Sequence, residues 1–97
     1  MNRREEKDIY RKAIRKWGFQ LQLGMLMEEC AELIQATHKV IRKGDEDLGT
    51  WRNLAQEMAD VEIMIDQLKI TVTWQDLQLN VKTNRHDKML RLKEMLK

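Results

Sequence analysis

Apolar residues recur along this chain at helical spacing, and the pattern breaks in only three places. Ile9, Tyr10, Ala13, Ile14 and Trp17 share one sector of a helix expected over about Arg4 to Trp17. Gly18 follows, a residue suited to a left-handed C-terminal cap. A second helix is expected from about Leu21 to Arg42, with Lys39, Arg42 and Lys43 near its C-terminal end to complement the helix dipole. The run Lys43-Gly44-Asp45-Glu46-Asp47 then makes a turn. A third helix, about Leu48 to Ile70, carries Leu54, Met58, Val61, Ile65 and Leu68 at alternating spacings of four and three, which predicts a bundle seam along them. The β-branched run Ile70-Thr71-Val72-Thr73 interrupts, and Thr73 followed by Asp76 resembles a capped helix start, with the last helix over about Trp74 to Leu96. Short connections favour antiparallel neighbours. The expected fold is a single all-α domain over residues 1–97, a four-helix antiparallel bundle-like protomer.

Composition agrees with the pattern. The chain has no proline and four glycines, and helix-favouring residues dominate it. At 97 residues it buries little more than half of the surface its unfolded form exposes, so a second copy is expected to complete the core, as a homodimer or homotetramer. Eighteen basic and sixteen acidic side chains leave a net charge of +2, which gives nucleic-acid binding no support. No stretch approaches the roughly 18 uninterrupted apolar residues of a membrane span, and Cys30, the single cysteine, allows no internal disulfide. A cytoplasmic protein is the expectation.

The chemistry concentrates in two short segments, Glu28-Glu29-Cys30-Ala31-Glu32 and Glu57-Met58-Ala59-Asp60. Carboxylates at i and i+3 lie on adjacent turns of one helix face, about 4.5 Å apart along the axis, close enough for two oxygens to reach one cation. A helical wheel puts Glu29 and Glu32 in the apolar sector of Met25, Leu33, Ala36 and Val40, and Glu57 and Asp60 in that of Val61 and Met64. In an antiparallel hairpin, residues equidistant from the turn centre share a level. Glu29 and Asp60 are equidistant from the point between Gly44 and Asp45, and so are Glu32 and Glu57. All four acids are therefore expected at one level of the bundle. Like charges buried together repel and lose hydration, a conflict that a divalent cation removes. Oxygen-only ligands select Mg²⁺ or Mn²⁺ over zinc. The alternative is that the acids are solvated and paired with Lys39, Lys43 or Lys82 across helices.

The paired segments resemble the motif of the MazG-like, all-α nucleoside triphosphate pyrophosphohydrolase superfamily, E-E-x-x-E and then E-x-x-D after one to two dozen residues. Here the spacer is the 24 residues from 33 to 56, and the resemblance covers roughly Trp17 to Arg85. It implies a helical fold that dimerises, often into tetramers, and Mg²⁺-dependent hydrolysis between the α and β phosphates to a nucleoside monophosphate and pyrophosphate. By position it implies Glu29, Glu32, Glu57 and Asp60 as metal ligands. The wheel sets Glu28 nearer Glu32 than Glu29, which leaves it to position water, bind a second ion or pair with a lysine. Lys82, Asn84 and Arg85 are similar to the family's phosphate and sugar contacts. The related phosphoribosyl-ATP pyrophosphohydrolases share the acidic motif.

Other residues offer less. Trp17, and after it Trp51, are candidates to stack on a base, and Gln22 lies on the stripe of Glu29, two turns before it. His38 lies opposite Glu29 on the wheel, which argues against ligation. A helical dimerisation or adaptor module that keeps the fold without turnover is the competing reading.

Overall fold

A computed structural model describes all 97 residues as four α-helices with no strand: α1 Arg3–Trp17, α2 Phe19–Lys43, α3 Leu48–Thr71 and α4 Leu77–Met95. No helix is long and apolar enough to cross a membrane.

Each boundary has a local cause. The Asn2 side chain accepts a hydrogen bond from the Glu5 amide at 2.9 Å, and Glu5 and Glu6 lie in the first turn of α1, where negative charge meets the positive end of the helix dipole. Gly18 ends α1 and begins α2 in one residue. Its amide donates to the Ile14 carbonyl at 2.8 Å, but at φ 81° and ψ 153° it is not the left-handed cap expected; ψ is extended, in a region essentially reserved for glycine. Gly44 closes α2 in the same way at φ 88° and ψ 172°. Asp47 then caps α3, accepting from the Thr50 amide at 3.1 Å, while the Thr50 hydroxyl donates to the Asp47 carbonyl at 2.9 Å.

The centre of the molecule is the α2–α3 hairpin, by far the most extensive helix pairing. All five buried apolar side chains belong to it: Ala36 and Val40 from α2, Val61, Met64 and Leu68 from α3. The seam on α3 differs from the expected one. Met58 and Ile65 are exposed, whereas Thr50, Val61, Met64, Gln67 and Leu68 are buried. Two stripes offset by one residue share Leu54, Val61 and Leu68, and the stripe that also contains Glu57 and Met64 is the one turned toward α2.

α1 packs on α3 and more lightly on α2, with Tyr10, Ala13 and Ile14 half-buried. α4 differs more from expectation. It starts at Leu77 rather than Trp74, because residues 73–76 form a turn in which the Asp76 amide donates to the Thr73 carbonyl at 3.3 Å. Asp76 sits in the left-handed region at φ 50° and its side chain caps nothing. α4 buries no residue and touches only α3, so one chain does not close a four-helix bundle. Phe19 and Trp74, edge to face with centroids 5.6 Å apart, tie the start of α2 to the turn before α4.

Gly44→Ala meets no steric obstacle, since a Cβ there has nothing within 4 Å, yet it places an L residue at φ 88°. The substitution should lower unfolding free energy by about 1–3 kcal/mol, measured by urea denaturation.

Candidate metal centre

The acids arrive at one level, as the hairpin register requires. Oxygens of Glu29, Glu57 and Asp60 all lie within 4.8 Å of one another, a spacing at which one cation can bridge them. Glu32, expected as a fourth ligand, is exposed and lies outside that three-residue group, though near enough for its charge to act on Glu29 and Glu57. Glu32 lies beside Glu57, and Asp60 beside Glu29. These two cross-helix pairs are the ones that equal distance from the Gly44–Asp45 turn selects.

The burial is graded. Glu29 and Glu57 are half-buried, and one oxygen of each, Oε2, is fully covered and has no hydrogen-bond partner. Glu32 and Asp60 keep solvent contact. Burial pushes the Glu29 carboxyl above the usual carboxylate range, and the charges of Glu32, Asp60 and Glu57 push the same way. Burial also raises Glu57, with Glu32 and Asp60 adding to it; Lys39 alone opposes. Lys39 forms no ion pair with it. Every ion pair in the structure joins residues three apart in the chain, Arg11 to Asp8, Lys69 to Asp66 and Lys97 to Glu94, so no lysine pairs with the cluster.

Three converging carboxylates, two carrying an orphaned buried oxygen, with a fourth acid, Glu32, beside them, form a donor set suited to a hard divalent cation. Unpaired buried acids are costly, and coordination supplies the missing partner. The donors come from two rigid helices, and the open side at Glu32 and Asp60 leaves room for water or a ligand oxygen.

The remaining sequence candidates are not gathered into this group. Glu28 is exposed and outside the oxygen cluster. Trp17 is exposed at the α1–α2 corner, with the Lys16 ammonium 5.3 Å from its ring centroid. Trp51 is half-committed elsewhere, its indole N–H donating to the Asp45 carbonyl at 2.8 Å across the turn. Lys82, Asn84 and Arg85 stand on α4, which makes no contact with α2. Asn84 donates to the Asn80 carbonyl at 2.7 Å and, with Arg85, lines an open groove beside Leu77, Val81 and Met89.

One polar layer is only half legible in the sequence, which singles out Gln22 and not Gln67. Gln67 of α3 is 4% exposed and its Nε2 has no partner; Gln22 of α2 is equally buried, and the two are equidistant from the same turn centre. They form a level one heptad from Glu29 and Asp60, beyond Met25 and Met64. The register that finds the acids would have found Gln67.

The chain matches no protein-family profile, no curated protein and no solved structure. The acid geometry therefore carries the functional reading.

The raised carboxyls fix a pH dependence. A group that holds its proton more tightly folded than unfolded stabilises the fold most at low pH, and that contribution is lost as pH rises through the folded value. In metal-free protein, Glu29→Gln and Glu57→Gln together should raise Tm at pH 7 and change it little at pH 4. Thermal unfolding followed by circular dichroism at the two pH values checks this; a larger gain at pH 4 would contradict the charge conflict.

Proposed function

We propose that this chain is a metal-dependent nucleoside triphosphate pyrophosphohydrolase that cleaves a (d)NTP between the α and β phosphates to a (d)NMP and pyrophosphate. The observation that carries the reading is the convergence of Glu29, Glu57 and Asp60 from two helices, with Glu32 beside them and an orphaned oxygen on each of Glu29 and Glu57. The resemblance of Glu28–Glu32 and Glu57–Asp60 to the MazG-like motif supplies the substrate class. In this reading the protomer is a MazG-like antiparallel bundle completed by dimerisation or tetramerisation, and a cytoplasmic role in clearing unwanted nucleotides suits the reaction.

Glu29, Glu32, Glu57 and Asp60 hold the cation. When bound, Mg²⁺, or Mn²⁺ in its place, neutralises charge on the phosphate oxygens and lowers the pKa of a coordinated water. The chain's own part is to fix those carboxylates on rigid helices and to take up the proton of the attacking water. Glu28, exposed beside Glu29, is assigned to positioning or deprotonating that water. Lys82, Asn84 and Arg85 are assigned to the phosphates and sugar, and Trp17 to the base. Because α4 stands away from α2, the α4 residues reach the acids only if assembly carries α4 over them.

Pyrophosphate release from a panel of ribo- and deoxyribonucleoside triphosphates with Mg²⁺ is the direct test. One or more should be cleaved, and Glu32→Gln and Glu57→Gln should each cut the rate at least about 100-fold. Activity indifferent to both substitutions would sink the site; no release from any triphosphate or from phosphoribosyl-ATP would favour the adaptor reading.

Cation binding is measurable without substrate. Mg²⁺ or Mn²⁺ at about 100 times its dissociation constant should stabilise the fold by about 2.7 kcal/mol, and Glu29→Gln, Glu57→Gln protein should show no such gain.

A further inference from the structure

The acid cluster divides the α2–α3 hairpin into two ends of different charge. Toward the turn neither helix carries an acid: residues 33–43 of α2 and 48–56 of α3 have none, but they do have the cations Lys39, Arg42, Lys43 and Arg52. Asp45, Glu46 and Asp47 come only in the turn itself. Away from the turn α2 has no charged residue over 19–27, and the level beyond Met25 and Met64 holds the two carboxamides of Gln22 and Gln67.

One of the cations addresses the cluster. Lys39 follows Glu32 by seven residues, which sets it about 20° from Glu32 around the helix and about 10.5 Å further along the axis. Its charge bears on Glu57, against that of the acids. Yet Lys39 is exposed and belongs to no ion pair. Arg42, by the same count, lies about 80° from Glu32 and off that face. A divalent cation at Glu29, Glu57 and Asp60 would make Lys39 the second positive centre on one side of the hairpin. Two such centres, spaced along the axis, suit a chain of phosphates, and the carboxamide end offers its charge nothing comparable.

We propose that Lys39 binds the β and γ phosphates of the triphosphate, so that the substrate lies along the hairpin with its pyrophosphate toward the Gly44–Asp47 turn and its nucleoside toward Gln22 and Gln67. This contact rests on the pyrophosphohydrolase reading, to which it adds a direction and a residue outside the acidic motif. Water adds to the α phosphorus, and the bond from that phosphorus to the oxygen bridging it to the β phosphorus breaks. The bridging oxygen keeps the electron pair and leaves with the pyrophosphate, while the proton of the water passes to the acid cluster. Lys39 offsets the charge gathered on the leaving group through a charge-assisted hydrogen bond, which persists in the product complex.

Titration calorimetry of the full chain with pyrophosphate at saturating Mg²⁺ tests the contact without turnover. Wild type should bind, Lys39→Ala should bind at least about 10-fold more weakly, and Lys39→Arg and Arg42→Ala should stay within about threefold of wild type. Affinity for Mg²⁺ alone should be the same in wild type and Lys39→Ala, and circular dichroism should stay helical. In the reaction, Lys39→Ala should lower kcat/KM and raise the inhibition constant of pyrophosphate by similar factors, with that of the nucleoside monophosphate unchanged. A lysine that only tunes Glu57 would, when removed, change Mg²⁺ affinity and leave pyrophosphate affinity at saturating Mg²⁺ intact. That result overturns the proposal, as does a wild type that binds no pyrophosphate or an equal loss in Arg42→Ala. The two readings fail separately. An active enzyme indifferent to Lys39→Ala sinks only this contact, and a protein that cleaves no triphosphate but binds pyrophosphate through Lys39 sinks only the reaction.

Discussion

Everything in this molecule is arranged around a repulsion. Four carboxylates meet between α2 and α3 with no cation from another helix to offset them, and two of them hide an oxygen from water. A hairpin of ordinary stability has little free energy to spend on such a conflict, because domains of this size are only marginally stable. The flanking layers supply what holds it: Met25 and Met64 on one side, Ala36 and Val40 on the other, with Asp47 and Gly44 fixing the turn. The acids are costly to the metal-free fold for the same reason that they suit a cation.

The hairpin and its acids were legible in the sequence because they depend on one number, the position of the turn. Gly44 and Asp47 mark that position with residues whose backbone or side chain a turn needs, and the level of every other residue on α2 and α3 follows. The cross-helix pairs Glu29–Asp60 and Glu32–Glu57 came out as the register demanded. Where the reading went astray, the signal was degenerate. Met58 and Ile65 fit a stripe that shares three members with the buried one, and hydropathy favours Met58 over Glu57 and does not separate Ile65 from Met64.

The ends of the chain were harder for a different reason. α4 has apolar residues on several sides, so no stripe says which face meets a neighbour, and Thr73 and Asp76 offered capping chemistry that the backbone uses as a turn instead. Whether Lys82, Asn84 and Arg85 serve the acids depends on where α4 lies in an assembly, which periodicity within one chain does not encode. Gln22 is legible on the stripe of Glu29, whereas its level partner Gln67 is not singled out, because a glutamine in a charged chain looks like surface.

The turn at Gly44–Asp47 also bears on how the protein folds. Because α2 and α3 are consecutive and joined by four residues, their pairing closes a short loop and needs no distant part of the chain. The four acids can thus be brought together by the hairpin alone, without α1 or α4 docked. If the hairpin pairs at the barrier to folding, a cation captured by it would act on the speed at which the chain folds as well as on the stability of the result.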